Sequence, residues 1–218
     1  MNIVELIGHY GSDVTHACSA WSSTDRNLTP EKRARIPKML ADLASHGHHT
    51  PFEKSMLHFL VTTDIASHIH LLKHRIGVSI NAESARYKEI KEDKYHLPDD
   101  WRVMASPAEQ REWSGLTWMD ILENYIQEGN RLYHQSLKEL EPVIGRKRAK
   151  ESSRYFRSYA SGIQADISFN FRSFAHFQSL RNKPDAQKEI REIAQQMLEA
   201  VRNLPGFPFQ HTLDAFGL

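Results

Sequence analysis

Cysteine is almost missing from this chain: Cys18 is the one thiol in 218 residues. A single thiol excludes an intramolecular disulfide and any zinc or iron–sulfur site built on several cysteines. Long apolar runs are missing too, and none approaches the roughly 20 residues that a membrane-spanning helix needs. Neither sign of charge dominates. Lys and Arg number 28 against 27 Asp and Glu, a net +1, which argues against a dedicated binder of nucleic-acid polymers while leaving room for a local basic pocket. The first residues, Met1 to Gly8, carry Glu5 and no basic stretch, so they do not read as a secretory signal, and the expected compartment is the cytoplasm. A Gly-rich dinucleotide fingerprint, a Walker loop and a His-Glu-x-x-His zinc motif are all absent.

What is present is ordinary globular composition, 40% hydrophobic and 25% charged. A chain of this length can bury roughly 70% of its unfolded surface, so a single domain over residues 1–218 is expected. Histidine is the anomaly: there are 13, crowded between His46 and His74, and imidazole both titrates near neutrality and ligates metals. His70 and His74 have the i,i+4 spacing of ligands, but Leu71, Leu72 and Lys73 between them supply no neighbouring general base, and no metal site is expected.

Residues 2–8, 55–62 and 165–169 read as short strands. Thr29 caps and Pro30 opens a helix that runs to Ser45, interrupted at Pro37 and stopped by Gly47. Asp64 caps a helix drawn to Ile76, with Ile65, Ile69, Leu72 and Ile76 on its apolar arc and Ser67, His70 and His74 opposite. Ser106 to Glu109 forms a capping box, and helical sequence continues to about residue 158. Asn170 caps a helix ending near Arg181. The last helix carries one stripe, Ile190, Ile193, Ala194, Met197, Leu198 and Val201. Few strands among more numerous helices, without βαβ alternation, give an α+β class: a small sheet flanked by several helices.

Three segments concentrate chemistry. The first, His46 to Glu53, reads either as a ligand-facing loop or as a helix stop followed by a polar turn. In the second, Lys73, His74 and Arg75 precede a polar run containing Ser79, Asn81, Glu83, Ser84, Arg86 and Tyr87. Cations at a helix end complement the macrodipole, which accounts for the first three residues but not for the run. Charge-assisted donors for a phosphate, with polar groups to orient a heterocycle, account for both. In the third, Arg172 and His176 share one side of a helix whose first amides offer an anion site. An amphipathic helix with a solvated basic face is the alternative there.

Together these segments resemble the flavin-dependent thymidylate synthases. That family's signature is Arg-His-Arg, seven residues, then Ser, continuing into a small residue, Arg and Tyr. Here Lys73-His74-Arg75 is followed by eight residues and then Ser84-Ala85-Arg86-Tyr87. Upstream, His46 to Glu53 is similar to the family's His-Gly-His-x-Thr/Ser-Pro-Phe-Glu loop. Downstream, Asn170-Phe-Arg172 through His176 to Arg181 is similar to its Asn-x-Arg helix, and Arg154 precedes Asn170 by sixteen residues, as a family arginine does. Lys73 departs from the signature, replacing a planar phosphate fork by a point charge. The longer spacer puts Ala82 where the family has Glu, with Glu83 adjacent; His70 stands where Gln is common, and Asp185 near a common His.

The resemblance implies a homotetramer with active sites shared between subunits, using FAD, NADPH and methylenetetrahydrofolate to convert dUMP to dTMP. It would assign His48, Thr50, Lys73, His74, Arg75, Glu83, Asn170, Arg172 and His176 to the flavin. It would assign His70, Lys73, Glu83, Ser84, Ala85, Arg86, Arg154 and Arg181 to dUMP, with Arg181 against the uracil ring as the catalytic group. A guanidinium there suits a reaction that builds electron density on the ring, and the flavin leaves the protein to supply orientation rather than a nucleophile. A related flavin and folate enzyme acting on a modified pyrimidine nucleotide, a His-rich metal-dependent hydrolase, and a nucleotide-binding regulator without catalysis are the alternatives.

Overall fold

A computed structural model describes residues 2–89, 93–105 and 114–218. The capping box at Ser106 to Glu109 lies outside the described residues. The chain divides into two compact units: one formed by 63–68 and 82–164, the other by 2–62, 69–81 and 165–218. A four-stranded sheet has the order β1-β2-β4-β3, from β1 (Ile3–Tyr10), β2 (Met56–Asp64), β3 (Val78–Ala82) and β4 (Gly162–Phe169). Strands β1 and β2 are antiparallel, with a register slip between Leu6 and Gly8. The α+β class follows, with helices in greater number than strands.

In the larger unit, alternation does what strand geometry requires: Leu57, Phe59 and Val61 on β2, and Ala165, Ile167 and Phe169 on β4, are buried. Helix α1 (Asp13–Trp21) packs against α2 (Pro30–Ser45), and α2 against α8 (Gln210–Ala215). Helix α6 (Phe171–Arg181) and helix α7 (Lys188–Arg202) pack together, and α7 lies on β1. All six residues of the α7 stripe are buried, as their spacing predicts, and Gln178 Nε2 of α6 donates to the Ala194 carbonyl at 2.9 Å. Phe59 stacks on Phe174 at 6.0 Å between ring centroids. The smaller unit pairs α4 (Trp118–Ile144) with α5 (Arg146–Ser153) around Tyr133, Leu137, Leu140 and Ala149.

Four sequence expectations fail. Pro37 does not interrupt α2, which runs unbroken from Pro30 to Ser45. Pro37 is exposed, so the backbone carbonyl left without its helical donor faces the solvent side. Helix α3 (Ile65–Leu71) ends short of Ile76, and the next backbone bonds are tight turns, Lys73 N–H to His70 and His74 N–H to Leu71. Its buried arc also differs from the expected one. Asp64, Ser67, His68 and Leu71 are buried, while Ile76, beyond the end of the helix, is 87% exposed. Asp64 caps the helix as expected, accepting from both the Ser67 N–H and its hydroxyl. Finally, α7 is not the last helix, since α8 follows it.

Helix α8 is held by a buried polar network that begins on α1. Asp13 accepts from the His211 and Thr212 amides and from the Thr212 hydroxyl at 2.6 Å. His16 Nδ1 meets that same hydroxyl at 2.9 Å, and its Nε2 meets the Ser55 hydroxyl at 2.8 Å. The rings of Phe52, Phe171 and Phe209 surround the imidazole. Burial lowers its pKa from 6.5 to about 4. The unfolded chain therefore takes up a proton that the folded chain refuses, so stability is full above pH 6.5 and falls as pH drops toward 4. The loss attributable to His16 is at most about 3 kcal/mol. Urea unfolding at neutral pH and near the lower pKa should show this loss, and the difference should shrink in His16→Gln; an unchanged acid slope in that variant would assign it to other groups.

Candidate active site

Two of the three chemistry-bearing segments are joined in the larger unit by a seam of short bonds. The Asn170 N–H donates to the Gly77 carbonyl at 3.0 Å, and the Asn170 side chain accepts from the Ser173 N–H at 2.8 Å, capping α6 as its position predicts. The Ser173 hydroxyl donates to the Ile76 carbonyl at 2.6 Å. Gly77 makes this approach possible. Its φ is +65°, and a Cβ there would stand 2.2 Å from Asn170 Nδ2 and 2.4 Å from Ser173 Oγ. The cap narrows the anion site expected at the start of α6, because one of its leading amides is already bound.

At the other end of α6, Arg181 Nε donates to His74 Nε2 at 3.0 Å. Burial, followed by the neighbouring charges of Arg181, His176 and His70, lowers the His74 pKa to about 4. The imidazole is therefore neutral at physiological pH and can accept this bond. Holding Arg181 by Nε leaves its two Nη groups directed elsewhere. His70 keeps a buried Nδ1 without a hydrogen-bond partner.

A cavity of about 1230 Å³ opens along α6 in the same unit. Arg172, Ser173, His176 and Ser179 form one wall, Leu198, Glu199 and Arg202 of α7 another, and His49 and Phe216 contribute aromatic surface. Among its lining side chains the cations Arg172, Lys183 and Arg202 outnumber the one carboxylate, Glu199. Arg172 also forms an ion pair with Glu53. The shared side of Arg172 and His176 is thus a cavity wall rather than a bare solvated face. His48, Thr50, Lys73 and Arg75 are exposed on this unit and are not among the cavity's lining residues.

The first segment adopts its bland conformation: Gly47, at φ +74°, follows the end of α2, and Thr50–Glu53 is a short 3-10 helix. Within it His49, not singled out by sequence, faces the cavity, its ring 5.4 Å from that of Phe216. Glu53 closes the motif, which assigns it no role. Its ion pair with Arg172 is a long-range contact that spacing does not reveal.

The remaining candidates belong to the smaller unit. Glu83 is exposed and pairs with Lys88 at 3.0 Å. The Ser84 hydroxyl accepts from the Arg86 N–H at 3.3 Å, in the turn that contains Ala85. Arg86 lies 3.6 Å from Glu151 and over the Tyr87 ring. Arg154 begins a 3-10 turn, Arg154–Phe156, and is exposed. Among the described residues, no group of three or more His, Cys, Asp or Glu is placed to hold a metal ion, and no helix is long and apolar enough to cross a membrane.

This α+β fold carries a cation-lined cavity beside a helix-capping seam, an arrangement suited to an anionic ligand. The model of the family described as thymidylate synthase complementing protein matches residues 5–205. A flavin-dependent thymidylate synthase of Thermosipho africanus is 30% identical over 198 residues, covering 88% of this chain and 82% of the relative. The flavin-dependent thymidylate synthase of Pseudothermotoga lettingae is 28% identical over 205 residues, covering 92% and 85%. In structure the chain is similar to the UMP/dUMP methylase PolB of Streptomyces cacaoi bound with 5-Br UMP, at a TM-score of 0.74 and 23% identity over 100% of this chain and 94% of that one. The chain belongs to the flavin-dependent thymidylate synthase family.

The seam gives a direct test at Gly77. Gly77→Ala should destabilise the protein by about 2–4 kcal/mol, from the left-handed conformation and the clash with the α6 cap together. Denaturant unfolding measures it; a loss below about 0.5 kcal/mol would mean that the turn relaxes without disturbing Asn170.

Proposed function

We propose that the chain uses FAD, bound along the α6 cavity, to convert dUMP to dTMP, with methylenetetrahydrofolate as the carbon donor and NADPH as the reductant. The observation that carries this reading is the cavity itself. It is large enough for a dinucleotide, it has an excess of cationic side chains suited to a pyrophosphate, and two residues of the third motif, Arg172 and His176, line it. The buried, unpartnered Nδ1 of His70 is a further atom that a ligand would satisfy. The residues present therefore fit the cofactor. A bound flavin supplies the hydride chemistry.

The protein's own part is positioning and charge. His48, Thr50, Lys73, His74, Arg75, Glu83, Asn170, Arg172 and His176 would hold the flavin. His70, Lys73, Glu83, Ser84, Ala85, Arg86, Arg154 and Arg181 would hold dUMP, with the arginines on its phosphate and Arg181 against the uracil ring. Arg181 already has its Nε fixed by His74, so its guanidinium is preorganised for charge that builds on the ring. Arg172 would exchange Glu53 for a ligand anion. The chain would work as one synthase domain over 1–218 in the cytoplasm, as a homotetramer. In such an assembly different copies complete one site, so these residues need not all meet within one chain.

A second substrate, UMP, is raised by the name of the solved structures similar in fold, UMP/dUMP methylase, together with the eight-residue spacer after Arg75. Turnover on dUMP, UMP and dCMP separates these.

The visible spectrum of the purified protein is the first test. Flavin bands should bleach with NADPH without air and return only after dUMP and methylenetetrahydrofolate are both added. A colourless protein that FAD does not reconstitute would overturn the proposal. Arg181→Ala should keep its flavin but lose on the order of 10²-fold or more in turnover, as for loss of a charge partner in the transition state. Near-normal turnover would remove Arg181 from the chemistry.

A further inference from the structure

Arg157 is buried in the smaller unit, only three residues after the exposed Arg154, and the family motifs give it no role. Its side chain is 4% exposed. One nitrogen, Nη1, donates to Asn130 Oδ1 at 2.8 Å and to Asp93 Oδ1 at 2.9 Å, and the guanidinium lies over the Tyr133 ring at 5.8 Å. Asp93 also meets His134 Nε2 at 3.1 Å. Asn130, Tyr133 and His134, spaced i, i+3 and i+4, share one face of α4, so Arg157 is fastened to that helix directly and through Asp93. Its main chain does a second job: the Arg157 N–H donates to the Arg154 carbonyl at 3.1 Å and closes the Arg154–Phe156 turn.

The other end of this attachment is a backbone contact. Phe156 presses its carbonyl against α4 at Gly129, where a Cβ would stand 2.5 Å from the oxygen. Neither atom is the end of a flexible side chain, so any residue larger than glycine moves the turn. Gly129 and Asn130 are neighbours on α4, and the turn is thus fixed to one short stretch of helix by a close backbone approach and a buried charge.

We infer that Arg157, with Gly129 and Asn130, is a positioning device that aims Arg154 at the phosphate of the nucleotide substrate. This inference rests on the proposed function, which gives Arg154 that phosphate. The two arginines differ in what is left for a ligand: Arg157 is enclosed and has Asp93 and Asn130 as partners, whereas Arg154 is exposed and, among the described residues, is held through its backbone. A cation on a flexible exposed stem loses entropy when it binds, and a fixed turn beneath it reduces that loss.

The test compares dUMP with deoxyuridine, which lacks the phosphate, by calorimetric titration of the flavin-loaded enzyme. Arg154→Ala sets the scale of the phosphate contact. Arg157→Met should weaken dUMP about tenfold, leave deoxyuridine unchanged, and add nothing when combined with Arg154→Ala. Arg157→Lys should recover part of the loss. Gly129→Ala, which leaves every charge in place, should show the same selective loss. Equal weakening of both ligands, or an additive double variant, would overturn the positioning role and leave the substrate assignment standing. A wild-type enzyme that binds deoxyuridine as tightly as dUMP would overturn the substrate assignment, and this inference with it.

Discussion

The contact between Gly77 and Asn170 is the constraint on which the candidate site depends. It links a turn before β3 to the first residue before α6, far apart in sequence, through a main-chain bond from Asn170 to Gly77 and a short side-chain bond from the Ser173 hydroxyl to Ile76. Because Asn170 fixes where α6 begins, it also fixes the phase of every residue after it. A helix turns 100° per residue, so a start displaced by one position would carry Arg172 and His176 off the cavity wall and move Arg181 away from His74. The left-handed Gly77 is what lets the two segments approach closely enough for this.

The electrostatics follow from the same geometry. His74 sits among Arg181, His176 and His70, and its burial among like charges keeps it neutral. A neutral imidazole can accept a hydrogen bond from Arg181; a protonated one would repel it. The cavity's cations have little carboxylate to answer them apart from Glu199 and the Glu53 that holds Arg172. Such an arrangement stabilises an incoming anion more than it stabilises the empty fold, which is the bias a binding site needs.

Features that repeat along the chain were legible in the sequence, and features set by distant contact were not. The α7 stripe, the Asn170 cap and the Thr29–Pro30 helix start each depend on neighbours within a turn or two, and each appears as read. Helix α3 misled because Ile65, Ile69, Leu72 and Ile76 form an apolar arc on paper, while the helix stops at Leu71 and buries Ser67, His68 and Leu71. His16 gave no local signal at all. Its partners Ser55 and Thr212 lie 39 and 196 residues away, so only the fold reveals that it is a structural histidine. The same limit applies in the first motif, where the pattern drew attention to His48 but the turn directs its neighbour His49 to the cavity. Three motifs in order identified the family because their agreement did not require the contacts to be known.

In each unit a buried polar network acts on a short element that presents something else. In the larger unit, Asp13 and His16 hold the start of α8, and the residues that follow α8, Phe216 to Leu218, border the cavity. In the smaller unit, Arg157 holds the turn that begins with Arg154. Short elements of this kind cannot bury enough apolar surface to fix themselves, since one turn of helix leaves most of its backbone groups without internal partners. A buried polar network is an effective substitute because its bonds are directional and breaking one leaves an unsatisfied group in a low-dielectric interior, a loss of several kcal/mol. Exposed cations have the opposite properties: individually they add little to stability, and they remain available to a ligand. The division of labour in this chain is therefore physical. Its enclosed Arg157 and His16 set geometry, while Arg154 and Arg172 stay exposed.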